Sequence, residues 1–376
     1  MLQTARSLWS LSAADRRLVA LMLDAGALSR AELAERIGVT RSAITQMMAS
    51  LDRFGLVEEE PARKGSRGQP ARPMAVRGAA GFSAGVSFSH GYLDAAIIDI
   101  TGTERAYQHR ILPEPTPEAV AKGAADAIAA ARIEAGIGTE ELLGIGFALP
   151  GDFRVDAPLL QAHRYFPAFD GLDARAWFQD RFAERVFVEN DGRTCAMGER
   201  LAGSGKGCRD FMAVHIGHGV GGGLFLHNRL YRGAHFNAGP LGTFFPLDRP
   251  RPSGQDLLET LRANGIDAAD FDRLDRVAED HGDIIAKWCD RAGRQLAPYL
   301  HHVANVIDPA LIIIGGRLSA SLLQDIVKAT GLPQHASPER FAGQPPVVIP
   351  STLGARAGAI GAASIPILHL LHPEPA

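Results

Sequence analysis

Two hydrophobic periodicities divide this chain, and the switch between them limits what it can fold into. From Ala13 to about Phe54 the apolar residues recur at helical spacing, whereas beyond Gly78 they gather into short runs separated by helical stretches. Leu18, Val19, Leu21, Met22 and Leu23 share one helix face that begins after Ser12, a candidate N-cap, and stops at Gly26. Ser29 caps a second helix with Glu32 three residues on as a capping box. Its inward residues are Leu33, Ala34 and Ile37, and Gly38 ends it. Thr40 then opens a third helix carrying Ile44, Met47, Met48 and Leu51 at the same spacing. The sequence thus predicts a short helix, a tight turn and a longer helix.

Leu56–Glu60 reads as a strand and Met74–Val76 as its return partner, joined by a polar, basic loop over 61–73: a β-wing. The second part alternates strand-like and helix-like segments. Strands are expected at Phe82–Phe88, Leu93–Ile100, Leu142–Leu149, Val186–Val188, Phe211–Ile216, Gly223–Leu226 and Leu311–Ile314. Helices are expected at Pro117–Ala135, 192–202, 254–263, 283–306 and 355–370. Such interleaving indicates an α/β fold. Residues 72–81 read as the linker, which divides the chain into units of 1–78 and 79–376.

Charge is distributed unevenly between these parts. Residues 1–80 hold 12 Lys/Arg against 8 Asp/Glu, while the remainder holds 27 against 34, so a basic module sits on an acidic body. No run of about 18 uninterrupted apolar residues occurs, and the N-terminus turns charged too early for a signal sequence, which favours a cytoplasmic protein. Cys195, Cys208 and Cys289 form no C-x-x-C pair and have no metal-site spacing.

A helix-turn-helix lays its second helix in the major groove with side chains near the N-terminus against base edges. On the third helix the outward positions are Arg41, Ser42, Thr45 and Gln46. Arg pairs with guanine, Gln with adenine, and Ser or Thr with phosphate or either base. Arg63, Lys64 and Arg67 in the wing suit a minor groove.

The segment L-A-E-R-I-G-V-T-R-S-A-I-T, with the wing pattern from G-L-V-E to S-R-G-Q-P, resembles the winged helix-turn-helix of bacterial regulators. Nearly the whole chain resembles the ROK family (repressors, open reading frames and kinases), in which that module precedes a sugar-kinase-like fold. The resemblance implies a two-lobed, actin-like (ribonuclease H-like) body whose C-terminal helix returns to the first lobe. In the body it rests on Glu189-Asn190-Asp191, on the Gly-rich segment Ile216–Gly223, and on Ile307–Leu318 with its D-P and G-G. By that resemblance Asn190 orients a sugar and Asp191 stands where the kinases keep their base. Glu259, in L-E-T, and Gly151 join them as effector-site candidates, flanked by 146–152 and by the loop 162–170 with His163, Arg164 and Tyr165.

The departures are as informative as the matches. Where the kinases have D-x-G-G-T, this chain reads Ser87-Phe88-Ser89-His90-Gly91, without the carboxylate that supports Mg-ATP. A-G-E-x-G-H becomes Ala238–Thr243, with Pro240 for the carboxylate and Thr243 for the imidazole. His218 takes the place of a threonine in the second phosphate loop. The zinc segment aligns with Pro250–Leu257, which has no thiolate. Phosphoryl transfer depends on metal-borne charge neutralisation, so the expectation is no enzyme, no cofactor and no metal. The expected function is a DNA-binding repressor of carbohydrate genes, acting as a homodimer on operator DNA and controlled by a sugar or sugar derivative. An active sugar kinase with an accessory DNA-binding module is the alternative.

Overall fold

The computed structural model describes residues 5–61, 72–138, 141–154, 157–266, 274–334 and 346–373. A 3-10 turn at Ala5–Ser10 leads into α1 (Ala13–Ala25), α2 (Arg30–Ile37) and α3 (Arg41–Arg53). The antiparallel pair β1 (Val57–Glu59) and β2 (Met74–Val76) follows. The caps read from sequence form. Ser12 accepts from Asp15 N, Ser29 and Glu32 complete a capping box, and Thr40 accepts from Ala43 N. Gly38 takes φ 80°, ψ 40°, the left-handed geometry that turns the chain from α2 into α3. Leu18, Val19, Leu33, Ile44, Met48 and Leu51 are buried between the helices.

The body follows in chain order as β3 (Phe82–Ser89), β4 (Gly91–Asp99), β5 (Glu104–Leu112), α4 (Pro117–Ala135), β6 (Leu142–Leu149), β7 (Gly151–Phe153), β8 (Leu160–Ala162), α5 (Ala174–Gln179), β9 (Val186–Asn190) and α6 (Asp191–Leu201). Its second half comprises β10 (Phe211–Ile216), β11 (Val220–Leu226), β12 (Arg229–Tyr231), α7 (Gly254–Ala263), α8 (Leu274–Ile307), β13 (Leu311–Gly316), α9 (Ala320–Ala329), β14 (Val347–Pro350) and α10 (Ala357–Leu371). Two five-stranded sheets result, ordered β5-β4-β3-β6-β9 and β12-β11-β10-β13-β14. In each, an antiparallel three-strand meander is extended by two parallel strands. The same topology occurring twice is the two-lobed, actin-like arrangement.

Helix α10 is the keystone. A Cβ on Gly85 of β3 would lie 2.0 Å from Ala363 N, and one on Gly146 of β6 would lie 2.0 Å from Ala362 O, so the helix backbone rests directly on the sheet. On its other side Gly361 and Gly198 bring it equally close to α6. The stretch 354–371 is long and apolar enough to cross a membrane, but 72% of it is buried in the protein, as a core helix.

The structure refines several expectations. Within 72–81 the expected return strand β2 pairs with β1, Gly78–Ala80 forms a 3-10 turn, and Arg77 Nε donates to Gly55 O at 2.7 Å. The helical module and the body also share one apolar cluster, in which Leu8, Leu18 and Leu33 join Ile98, Ile100, Leu143, Ile367 and Leu370. The strand expected at Gly223–Leu226 begins at Val220. Its glycines are strand residues because β11 lies against α6, where a Cβ on Gly223 would meet Ala196 Cβ at 2.8 Å. The helix expected at 283–306 is the part of α8 that follows the non-helical geometry at His281. Strands β5, β7, β8, β12 and β14 and helices α5 and α9 had no sequence-based expectation.

The close approach of α10 sets a stability test. Gly146→Ala should destabilise the fold by about 1–3 kcal/mol through overpacking and so lower the thermal midpoint, whereas Gly282→Ala, with nothing within 4 Å of the added Cβ, should not. Circular-dichroism melts of both variants decide it; equal midpoints would refute the contact.

Candidate functional site

The first candidate surface is the outer face of α3. Burial of Ile44, Met48 and Leu51 fixes the helix's rotation, and this leaves Arg41, Ser42, Thr45 and Gln46 exposed together. Thr45 Oγ1 donates to Arg41 O at 3.0 Å, a local bond that leaves the Arg41 guanidinium outside it. Glu59 of β1 pairs with Arg30 at 3.6 Å and with Arg72 at 3.3 Å, holding the base of the wing. Arg63, Lys64 and Arg67 lie outside the described residues.

The second is a cleft of about 510 Å³ lined from both lobes. It brings together Asn190, Asp191 and Gly151 as expected, with His163 beside them. Asn190 caps α6 through Oδ1, which accepts from Arg193 N at 3.1 Å. Its Nδ2 donates to Gly151 O at 2.8 Å and to Asp191 Oδ1 at 3.1 Å. One side chain thus ties the β7 edge to the start of α6, and Asp191 stands at the positive end of that helix. Pro240, Gly242 and Thr243 also line the cleft. Glu259 does not: it is exposed on α7 and accepts from Gln255 Nε2 at 2.7 Å.

Beneath the cleft lies a buried ionic layer. Glu189 accepts from Arg193 Nε at 2.8 Å and from Arg232 Nε at 3.0 Å. Burial opposes its charge, but the two guanidinium groups prevail and hold the carboxyl below the usual range. Asp152, 3.4 Å from Arg193 Nη1, is pushed up by burial, which the same Arg193 only partly offsets. Burial also pushes His163 and His215 down, and takes His218 to about 4. These imidazoles are neutral at pH 7.

The segments in which the resemblance would put phosphate contacts are placed as follows. Ser87 faces the cleft, while the neighbouring carboxylate Asp94, on β4 opposite Ser87, is buried and held by Arg317 and by His109, whose Nδ1 is 2.7 Å away. Arg317 reaches across from the turn after β13 and lies 3.9 Å over the Tyr92 ring. Asp94 therefore has its charge neutralised within the protein and does not fit a magnesium site. In the Gly-rich segment only the turn between β10 and β11 is loop. Its Gly217 and His218 carbonyls accept from Gly254 N and Gln255 N, consuming the first amides of α7. The Pro250–Leu257 segment leads into that helix without a thiolate, and no group of three or more His, Cys, Asp or Glu side chains among the described residues is placed to hold a metal ion.

Sequence reasoning missed four of the polar lining residues: Arg193, His215, His218 as a pocket wall, and Arg251. Arg193 follows E-N-D directly, so helical spacing from Glu189 could have flagged it as an i, i+4 pair. His215 and Arg251 come from separate elements and carried no local signal. The structure shows a further link: α6, whose first residue is Asp191, is buried from Gly192 to Leu201. At its far end Arg200 Nη2 lies 2.6 and 2.7 Å from the carboxylate oxygens of Asp24 on α1.

Comparison with known proteins agrees with this architecture. The chain is 38% identical over 361 residues to the uncharacterised protein y4fQ of Sinorhizobium fredii, covering 95% of this chain and 91% of the other. It is 26% identical to the xylose repressor of Bacillus spizizenii, covering 92% of each. Among solved structures, a ROK family transcriptional regulator homologous to the Escherichia coli MLC protein superposes with a TM-score of 0.67 at 19% identity, over 95% of this chain and 96% of the other. A ROK family glucokinase from Streptomyces griseus gives 0.61 at 20% identity, over 76% of this chain and 99% of its own. The model of the ROK family matches residues 84–367, most of the chain, and the chain accordingly belongs to the ROK family.

Proposed function

We propose that the protein is a sugar-controlled transcriptional repressor of carbohydrate uptake or catabolism genes, divided into a DNA reader over 1–78 and an effector body over 79–376. The observation that carries this reading is the course of α6. Its first turn stands in the cleft with Asn190 and Asp191, and its last turn is ion-paired to α1 of the reader through Arg200 and Asp24. Relatives named as xylose and N-acetylglucosamine repressors support the class of function, though not the effector or target of this chain.

On this reading α3 enters the major groove with Arg41, Ser42, Thr45 and Gln46 at base edges or phosphates, and the wing residues Arg63, Lys64 and Arg67 contact the adjoining minor groove. Two readers act on a symmetric operator, so the working form is a homodimer. The effector bridges the lobes at Asn190, Asp191 and Gly151; Glu259, turned to solvent, drops out of the first contacts. Because ligand binds the two lobe arrangements with different affinity, it shifts the reader's operator affinity by that difference. The body has no catalytic role. Asp191 has the carboxylate of a base, but Ser87 and the sequestered Asp94 supply no charge for magnesium nucleotide.

Three measurements test this. Arg41→Ala should weaken binding to an operator selected from genomic fragments by about 1–3 kcal/mol without changing the melting midpoint; unchanged affinity would remove Arg41 from the reading face. The purified chain should show no sugar-dependent ATP consumption above background in a coupled assay, and sustained turnover would favour the kinase. In the pair-neutral double variant Asp24→Asn/Arg200→Gln, sugar binding should persist while its effect on operator affinity shrinks at least fivefold; an undiminished effect would discard α6 as the route.

A further inference from the structure

The cleft has unmet hydrogen-bonding capacity, and all of it is on nitrogen. Among the described residues that line it, the buried side-chain polar atoms without a partner are Arg193 Nη2, His215 Nδ1, His218 Nε2 and Arg251 Nε, with no oxygen in that condition. The Arg193 side chain is only 1% exposed. Guanidinium nitrogens only donate, and a buried donor left unpaired costs about 1–3 kcal/mol, so an occupant that supplies acceptors is favoured.

The charges are arranged in two tiers. On the floor, Arg193 is already balanced by Glu189 and faces Asp152, while Asn190 and Asp191 offer the donor and acceptor groups that suit sugar hydroxyls. The rim is different. Arg251 there gives one bond to Gly242 O at 3.2 Å and has Arg164 as a like-charged neighbour; burial and then Arg164 lower its pKa, against Tyr165 and Asp256, which raise it, and the guanidinium stays charged. The carboxylate within its reach, Asp256, is engaged by Arg291 and by Trp288 Nε1 at 2.8 Å. His218 is on the same wall, a neutral imidazole whose pKa is lowered chiefly by burial, and Pro240 and Thr243 add no charge there. The rim thus holds two guanidinium groups, Arg251 and Arg164, whose nearest counter-charge, Asp256, is shared with Arg291.

We propose that the effector is an anionic sugar derivative, whose hydroxyls meet Asn190 and Asp191 and whose carboxylate or phosphate is received at the rim by Arg251 and His218. This rests on the reading of the cleft as an effector site and adds the ligand's charge to it. An oxyanion there satisfies Arg251 Nε and makes charge-assisted bonds, which are shorter and about twice as strong as neutral ones. A guanidinium meets carboxylate and phosphate equally well, so the two sources are separated by experiment.

The test is isothermal titration of the full-length protein with matched sets: glucose, galactose and mannose, the uronate of each, and the 6-phosphate of each. At least one acidic member should bind tenfold or more tighter than its neutral parent, and whether that is a uronate or a phosphate identifies the source. In Arg251→Gln this preference should fall to threefold or less, with partial recovery in Arg251→Lys, each variant being checked for folding by circular dichroism. A neutral sugar binding as tightly as its acidic forms, or a preference that survives Arg251→Gln, overturns the proposal and leaves the repressor reading standing. If no sugar of any set binds while operator binding persists, the effector reading falls, and this proposal with it.

Discussion

The structure depends on the backbone-to-backbone approach of α10 to β3, β6 and α6. Glycine at 85, 146, 198 and 361 removes the side chains that would hold these elements apart, and α10 can then touch the first sheet, the cleft helix and the reader together. Interiors this dense do not deform gradually, so a displacement at one face of the α6–α10 pair is passed to the other as a rigid shift. That property suits a body in which one buried helix runs from the cleft to the N-terminal helices, where Arg200 meets Asp24 of α1.

Charge is used in this body for architecture where a phosphotransferase would use it for metal and phosphate. Asp94 is held between Arg317 and His109, and Glu189 between Arg193 and Arg232. Buried pairs of this kind contribute little net stability, but removing one partner strands the other at about 3–5 kcal/mol. They act mainly to fix geometry. The Arg317–Asp94 pair joins β4 of the first sheet to the turn after β13 of the second, so it ties the lobes together. Opening the lobes requires that both ions be rehydrated or that both move together.

Much of this was legible in the sequence where the signal is local. Caps at Ser12, Ser29 and Thr40, the left-handed Gly38, and the edges of Pro117–Ala135, Leu142–Leu149, Phe211–Ile216 and 254–263 all depend on near neighbours, and they stand where spacing put them. The reading failed where context overrides propensity. Gly221 and Gly222 look like loop but form strand, Gly222 being closely confined by Ala213 O and Gly239 O. The bond from Arg77 to Gly55 O, which holds the segment between β2 and β3 against the wing base, had no local signal. At the site, Asn190, Asp191 and Gly151 were visible as a motif, whereas Arg251 and His215 converge from distant elements and only the folded chain brings them to one cleft. Glu259 shows the reverse error, a matched motif on a helix rotated to face water.

One consequence follows from how the reader is seated. Trp9 stacks on Phe187 at 5.7 Å and donates to Leu143 O, and the first helices share their apolar cluster with β4, β6 and α10. A module with so much oil-like surface turned inward cannot be traded freely between bodies in the way that tethered DNA-binding units can. On the proposed function, recombination that grafts a different helical module onto this body has to carry a matching seam with it, whereas substitution on the outward face of α3 leaves the seam intact.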